Sequence, residues 1–486
     1  MSSIRIASLS AVAGSLVILA TIAFWGQSPL QASANLPSNL SLQAAIDVGT
    51  DLELPCGVTV LTSGLTVRTG NRHISGAGPC TVLNFVGTRL EYAIAIAASN
   101  VELDHLTISA APGVLCRGVS MGNVSHVSVH DLTISGAGTV SPQAGLPAAI
   151  RFLNVTDLVL RDNDISGSGP ATGNAGGYDI LSDSGASRRI SVARNRIHGS
   201  NSTICIALFN VDDVTVENNF IDQSHAFDHS KAEDAGQGYG IVLYGAGQRT
   251  IDTGPSGLVR SRNVVVMKTK TAHSFSVGQH IVINQATSTG GTDFNRDFNV
   301  SSAPTSTTLT FAQEGPDDNG GGGVVNPSFS SARVAMNTVT NTAGSGIYLQ
   351  AYTDSVVEGN VITAFGQLMQ DTSLPEGGIA LMSPMRVIVR DNFIDGSVQN
   401  GIAFAAGHAV TITDNVIGHV KYGVQVRGVN QDVHIRGNIV RGVALGISLP
   451  PSAPANVFEV VDNTIREGNT SSLKIGSQPK GSNSSE

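Results

Sequence analysis

The sequence predicts an all-β solenoid wound as a parallel β-helix, with one small all-β module inserted into it. The first observation is a repeat. Asn-x-(Ile/Val) recurs as Asn163-Asp164-Ile165, Asn195-Arg196-Ile197, Asn219-Phe220-Ile221, Asn337-Thr338-Val339, Asn360-Val361-Ile362, Asn392-Phe393-Ile394, Asn415-Val416-Ile417, Asn438-Ile439-Val440 and Asn463-Thr464-Ile465. The steps between 337 and 463 are 23, 32, 23, 23 and 25 residues. A period of this size marks a solenoid, because one repeat alone cannot bury its apolar face. The second observation is the pattern inside a repeat. Gly401-Ile402-Ala403-Phe404, Ala409-Val410-Thr411-Ile412 and Val416-Ile417 alternate with period two and are separated by a turn and by the corner Asp414-Asn415. Three short strands per repeat with no helical stretch make each repeat one coil. The third is composition: 55 Gly, 5% aromatic and 13% charged residues suit a turn-rich β protein and disfavour disorder.

The corner Asn is expected to take the left-handed conformation and to stack its amide on the Asn of neighbouring coils as a ladder. Leu106 and Leu132 hold the same place in earlier coils, so the ladder should start near Asn163.

Segment 1–34 carries Arg5, an apolar run over 6–25, Pro29 and Ala32-Ser33-Ala34. This reads as a secretory signal releasing a chain from Asn35, with an uncleaved N-terminal anchor as the alternative. A secreted, periplasmic or cell-surface location follows. Net charge is −9, with 28 basic residues spread along the chain, which argues against a nucleic-acid partner. Cys56 and Cys80 are 24 residues apart, one coil, and could stack and bridge; buried free thiols are the alternative. No metal-type Cys/His spacing is present and no cofactor is expected, with Ca²⁺ left open as an alternative that no motif supports.

The expected organisation is helix over 35–246, an inserted β domain over 247–331, helix again over 332–466 and a disordered Ser/Asn/Gly-rich tail over 467–486. The module shows strand-like runs at 263–268, 280–284, 298–301 and 307–311, with turns at 289–291 and 317–323. It is either a wall beside a cleft or a neutral decoration. The Gly/Asp-rich turn 317–323 lacks the alternating carboxylates of a calcium loop. No feature calls for a second chain, so a monomer is expected.

Apart from the insertion, 44–466 resembles the pectate-lyase-like right-handed parallel β-helix superfamily. Its opening coils, Leu54-Pro55-Cys56-Gly57-Val58, Ile74-Ser75-Gly76-Ala77-Gly78 and Thr81-Val82-Leu83, are similar to that superfamily's first coils. The resemblance implies a polysaccharide groove along the outer face of the first strand of each coil. It places Arg151, Asp179, Phe209, Tyr244, Tyr348, Gln350, Met382, Gln425 and Arg427 outward, over inward pairs such as Ile241/Leu243 and Ile347/Leu349.

A lyase or C5-epimerase of an acidic glycan must neutralise a uronate carboxylate and remove the C5 proton. The dense titratable cluster in the 223–238 loop supplies suitable groups. His229 and Lys231 are the acid/base candidates, with His225 beside them and Asp228 orienting a His. Tyr348 is a stacking or proton-transfer partner and Arg151 a carboxylate contact. Asp179, Tyr244, Gln350 and Arg427 are further substrate contacts. Asp228-His229 is similar to the Asp-Pro-His of mannuronan C5-epimerases without its Pro. A hydrolase would instead need two spaced carboxylates, for which Asp179, Asp183, Asp228 and Asp234 are available. The rival class is a non-catalytic glycan-binding or surface structural β-helix.

Overall fold

The computed structural model describes residues 39–466 and 473–474, except 142, 144, 170–176, 184, 223–237, 246, 367–374, 398 and 451–456. Segment 1–34, most of the tail and most of the 223–238 loop therefore lie outside the described residues.

Three parallel sheets run the length of the solenoid. The first leads from Leu52–Leu54 to Phe458–Val461, the second from Gly57–Leu61 to Thr464–Arg466 and the third from Leu65–Val67 to Leu473–Lys474. Each coil contributes one strand to each sheet in turn. The type coil reads Asn400–Ala405 in the third sheet, His408–Thr413 in the first and Val416–Gly418 in the second.

Register stacks like on like. In the second sheet Ile134, Ile165, Ile197, Ile221, Val339, Ile362, Ile394, Ile417 and Val440 pair in succession and are fully buried. Burial of each such side chain stabilises by about 1.5–3 kcal/mol, so the helix is held by its interior columns. Leu42 and Ile46 of the helix Asn39–Asp47, an element the strand pattern did not announce, pack into the same core at its first coils.

The asparagine ladder runs from Asn163 to Asn463. Each Nδ2 donates to the Oδ1 of the next Asn at 2.9–3.0 Å. Each also donates to a strand carbonyl, as Asn337 does to Val216 O at 2.9 Å. The backbone N–H of Leu132 donates to Asn163 Oδ1, which ends the ladder where Leu replaces Asn. The left-handed residue is not the Asn, as expected, but the one before it: Asp162, Arg194, Asn218, Met336, Asp391, Asp414 and Asp462 have φ of 53–57°. The preceding residue takes the bend, and the Asn is left with its N–H and its amide both directed along the stack.

Cys56 and Cys80 form a disulfide with Cα atoms 4.9 Å apart, while Cys116 and Cys205 are buried thiols.

The chain leaves the helix after Tyr239–Tyr244 and builds a nine-stranded sheet, mainly antiparallel, over strands between Arg249–Thr250 and Val324–Pro327. Ile251, Leu258, Met267, Ile281, Phe298, Phe311 and Val325 belong to a core of its own. Residues 317–323 are not a plain turn: Asp318–Gly321 is a strand. The Asp318 carboxylate is taken up by Ser288 Oγ, Gly290 N–H and Thr292 N–H at 2.6–2.9 Å. The chain returns through Phe329–Ser330, which pairs with Tyr352–Thr353 of the first sheet. Arg386 ties the inserted sheet to the helix, bridging Asp297 at 3.0 Å and Asp354 at 2.6 Å.

Candidate functional site

The outer face of the third sheet gathers most of the predicted contacts that lie within the described residues. Register places Arg151, Leu181, Ala207, Val242, Tyr348, Ala380, Ala403 and Gln425 in one outward row. A second row carries Phe209, Tyr244, Gln350, Met382, Ala405 and Arg427. A third begins Arg117, Ala148, Tyr178, Ile204 and Tyr239.

Where these rows cross coils 178–348 the face is aromatic. Tyr178 meets Phe209 edge-on with centroids 6.2 Å apart, Phe209 meets Tyr244 at 5.9 Å, and Tyr239 meets Tyr348 at 6.0 Å. Together with Leu181, Ala207, Val242 and Ala380 they form an apolar cluster separate from the solenoid core. Edge-to-face packing holds each ring by its neighbour and keeps the patch rigid.

Charged pairs flank the rings. Arg151 holds Asp183 Oδ2 through Nε at 3.0 Å and Nη2 at 2.7 Å. Arg117 lies 3.6 Å from Glu91 and donates from Nε to Leu146 O. Burial, then the neighbouring Arg151 charge, draws the Arg117 pKa below its ordinary value. Tyr348 donates from its hydroxyl to Gln350 Oε1 at 2.8 Å, and Tyr239 donates to Glu376 Oε1 at 3.3 Å. Burial, with Glu376 nearby, pushes the pKa of both phenols well above the usual tyrosine range. A phenolate at either position is therefore strongly disfavoured, which opposes Tyr348 as a base and leaves it a ring surface and a hydroxyl donor. Arg427 donates to Gln425 two residues away at 2.8 Å.

Asp179 does not face outward. It is fully buried, as is the following Ile180. Strict alternation fails here because two consecutive residues turn inward at the corner that opens each third-sheet strand. The same position in later coils is Cys205, Gly240, Gly346, Gly378, Gly401 and Gly423. A β-carbon at Gly240 would lie 2.4 Å from Val339 Cγ1. Asp179 is accommodated by serines instead: Ser200 Oγ donates to its Oδ1 at 2.9 Å. Burial raises its pKa to about 6, against the opposing pull of Ser200, Ser168 and Ser202. It is neither a substrate contact nor one of a hydrolase's carboxylates.

His225, Asp228, His229 and Lys231 lie outside the described residues, as does Asp234. Arg117, Glu91, Tyr239 and Glu376 were not anticipated. Arg117 and Tyr239 had a signal, since each opens a third-sheet strand one turn of the pattern before a predicted outward residue.

Residues 322–483, about a third of the chain, match a family model described as a right handed beta helix region. With three parallel sheets in succession, the protein is a right-handed parallel β-helix. No curated protein sequence matched the chain. Among solved structures it is similar to the A-module of mannuronan C-5 epimerase AlgE6 from Azotobacter vinelandii, at 14% identity over 90% of this chain and 96% of that one, with a TM-score of 0.48. It is also similar to PfbA, a surface adhesin of Streptococcus pneumoniae, at 11% identity over 88% and 86%, TM-score 0.44. A third is an alginate lyase from Paenibacillus sp. str. FPU-7, at 12% over 82% and 97%, TM-score 0.35. Likenesses of this order assign no chemistry.

Proposed function

We propose that the protein is exported and takes an acidic polysaccharide along the outer face of the third sheet, acting on it as a lyase or C5-epimerase. The observation that carries this reading is the rigid row of rings from Tyr178 to Tyr348, bordered by Arg117 and Arg151. Aromatic faces suit the C–H surfaces of sugar rings, and guanidinium groups suit uronate carboxylates, which must compete with Asp183 and Glu91 for them. Neutralising a carboxylate acidifies the C5–H bond. A base from the 223–238 loop, His229 or Lys231, takes that proton. The electron pair then either expels the C4 oxygen, giving an unsaturated end, or accepts a proton from the opposite face, inverting C5.

The second reading is a non-catalytic glycan binder. Its supporting observation is that Arg151 is held by Asp183 and Tyr239 by Glu376, and that the Tyr239 and Tyr348 phenols resist ionisation. Incubation with a panel of polyuronates, followed by ultraviolet absorbance of unsaturated ends and by exchange of C5 hydrogen in heavy water, separates the two. Signal in either assay supports the enzyme. Silence in both, with measurable glycan binding, establishes the binder.

A further inference from the structure

On a different face, the outer side of the first sheet, three consecutive coils bring histidines and carboxylates together. Strand Arg72–Gly76 presents His73, strand Val101–Asp104 presents Glu102 and Asp104, and strand Ser125–His130 ends on His130. Pairing sets His73 beside Glu102 and Asp104 beside His130. His105 follows Asp104 with φ of 51°, and this left-handed turn brings its ring back to the carboxylate it adjoins.

Asp104 is the hub. Its Oδ2 lies 2.8 Å from His73 Nε2 and 3.5 Å from His130 Nε2. Its Oδ1 is buried, faces His105 Nδ1 at 3.1 Å and accepts no hydrogen bond. A carboxylate 97% buried among three imidazoles is costly unless something positive meets it. The ligand atoms of Asp104, His105 and His130 all lie within 4.8 Å of one another. Glu102 Oε1 lies 2.8 Å from His130 Nε2. A tetrahedral ion with bonds near 2.0–2.1 Å holds its ligand atoms about 3.3 Å apart, so Asp104, His105 and His130 close on it with shifts of up to about 1.5 Å, and Glu102 joins from its place against His130. Supporting groups are in place: Asp131 Oδ2 lies 2.8 Å from His130 Nδ1, which directs Nε2 at the cluster, and His73 holds the other Asp104 oxygen. The side chain of His105 is half exposed, which leaves a way in.

We propose that Asp104, His105 and His130, with Glu102 as fourth ligand, bind one divalent transition-metal ion of the zinc class. Two imidazoles and two carboxylates on a closed tetrahedron fit Zn²⁺ better than Ca²⁺, which prefers six to eight oxygens. The ion would join adjacent coils beside Leu106 and Leu132, two of the early corners that lack the ladder asparagine. Cross-linking there replaces what the ladder supplies elsewhere. The absence of local Cys/His spacing does not exclude such a site, because its ligands come from stacked coils.

The full-length exported chain, stripped with chelator, is titrated with Zn²⁺ by calorimetry at neutral pH and melted with and without the ion. About one equivalent should bind per chain and raise the melting temperature. His105→Ala should weaken binding at least about tenfold and abolish the thermal shift, while His126→Ala, on the same face outside the cluster, should behave as the parent. Circular dichroism of the metal-free variants checks that the coils are formed. Absence of binding, equal binding by all three proteins, or Ca²⁺ giving the same shift as Zn²⁺ would each overturn the proposal.

Discussion

Asn219 donates from Nδ2 to Asn337 Oδ1 at 2.9 Å although 118 residues separate them. The ladder therefore runs across the inserted sheet without a break: Asn195 below and Asn360 above continue it with bonds of 3.0 Å. The insertion leaves at one corner and returns one strand later, so the coils on either side of it stack as direct neighbours.

Breaking the ladder in mid-stack should be felt. Asn415 is fully buried and bonds Asn438 and the carbonyl of Val389. Asn415→Leu and Asn438→Ala are each expected to destabilise by about 1–3 kcal/mol, the cost of leaving buried partners unsatisfied. Urea unfolding followed by circular dichroism measures this; unchanged midpoints for both would remove the ladder from the list of stabilising features.

Asp179 should make stability depend on pH in the sense opposite to a salt-bridged carboxylate. Its pKa in the folded protein, about 6, stands above the ordinary 3.8. The folded chain thus holds a proton that the unfolded chain releases between pH 4 and 6. Its contribution is fully present below pH 4 and is lost as pH rises through 6. Asp179→Asn mimics the protonated form, so the variant should gain on the parent by about 2–3 kcal/mol between pH 4 and 7. Parallel denaturation curves at the two pH values would contradict the burial argument.

For the aromatic face, ring and hydroxyl can be separated. Tyr348→Phe keeps the ring and loses only the bond to Gln350, so oligouronate affinity should change by no more than about threefold. Tyr244→Ala removes a ring packed against Phe209 and should weaken binding about tenfold or more. Calorimetric titration distinguishes these, and the reverse order would move the ligand off this face.

In the 223–238 loop, His229→Ala or Lys231→Ala should lower turnover by about 10²-fold while leaving the melting temperature within a degree or so of the parent. Loss of ligand affinity with turnover per bound chain unchanged would demote both from acid/base groups to contacts.

Arg386 joins two half-exposed carboxylates on different elements, Asp297 of the inserted sheet and Asp354 of the solenoid. Partial exposure limits its worth, so Arg386→Ala should cost global stability less than about 1 kcal/mol. Faster hydrogen exchange confined to Asp297–Thr305 and its partner His280–Asn284 is expected instead. Exchange rising equally throughout the solenoid would show that the pair supports the coils.

What the sequence determined by itself is what repeats. The Asn-x-(Ile/Val) step and the period-two runs dictate coils, because each coil must present an apolar column to its neighbours, and Ile165, Ile197 and Ile221 do so in register. Outward Arg151, Tyr244 and Tyr348 followed from applying the superfamily resemblance to those runs. Only the tertiary structure decided features that break the period or join different periods. Asp179 faces inward because two successive residues turn into the core at one corner, which alternation cannot express. The left-handed bend belongs to Asp414 and its equivalents, one residue before the Asn, because the ladder amide must stay directed along the stack. Arg117 and Glu91, or Asp104 and His130, are about one coil apart in the chain, and nothing local links them. Coil length varies with every loop, so which residues share a rung is set by backbone pairing between coils and becomes visible only once the coils have stacked.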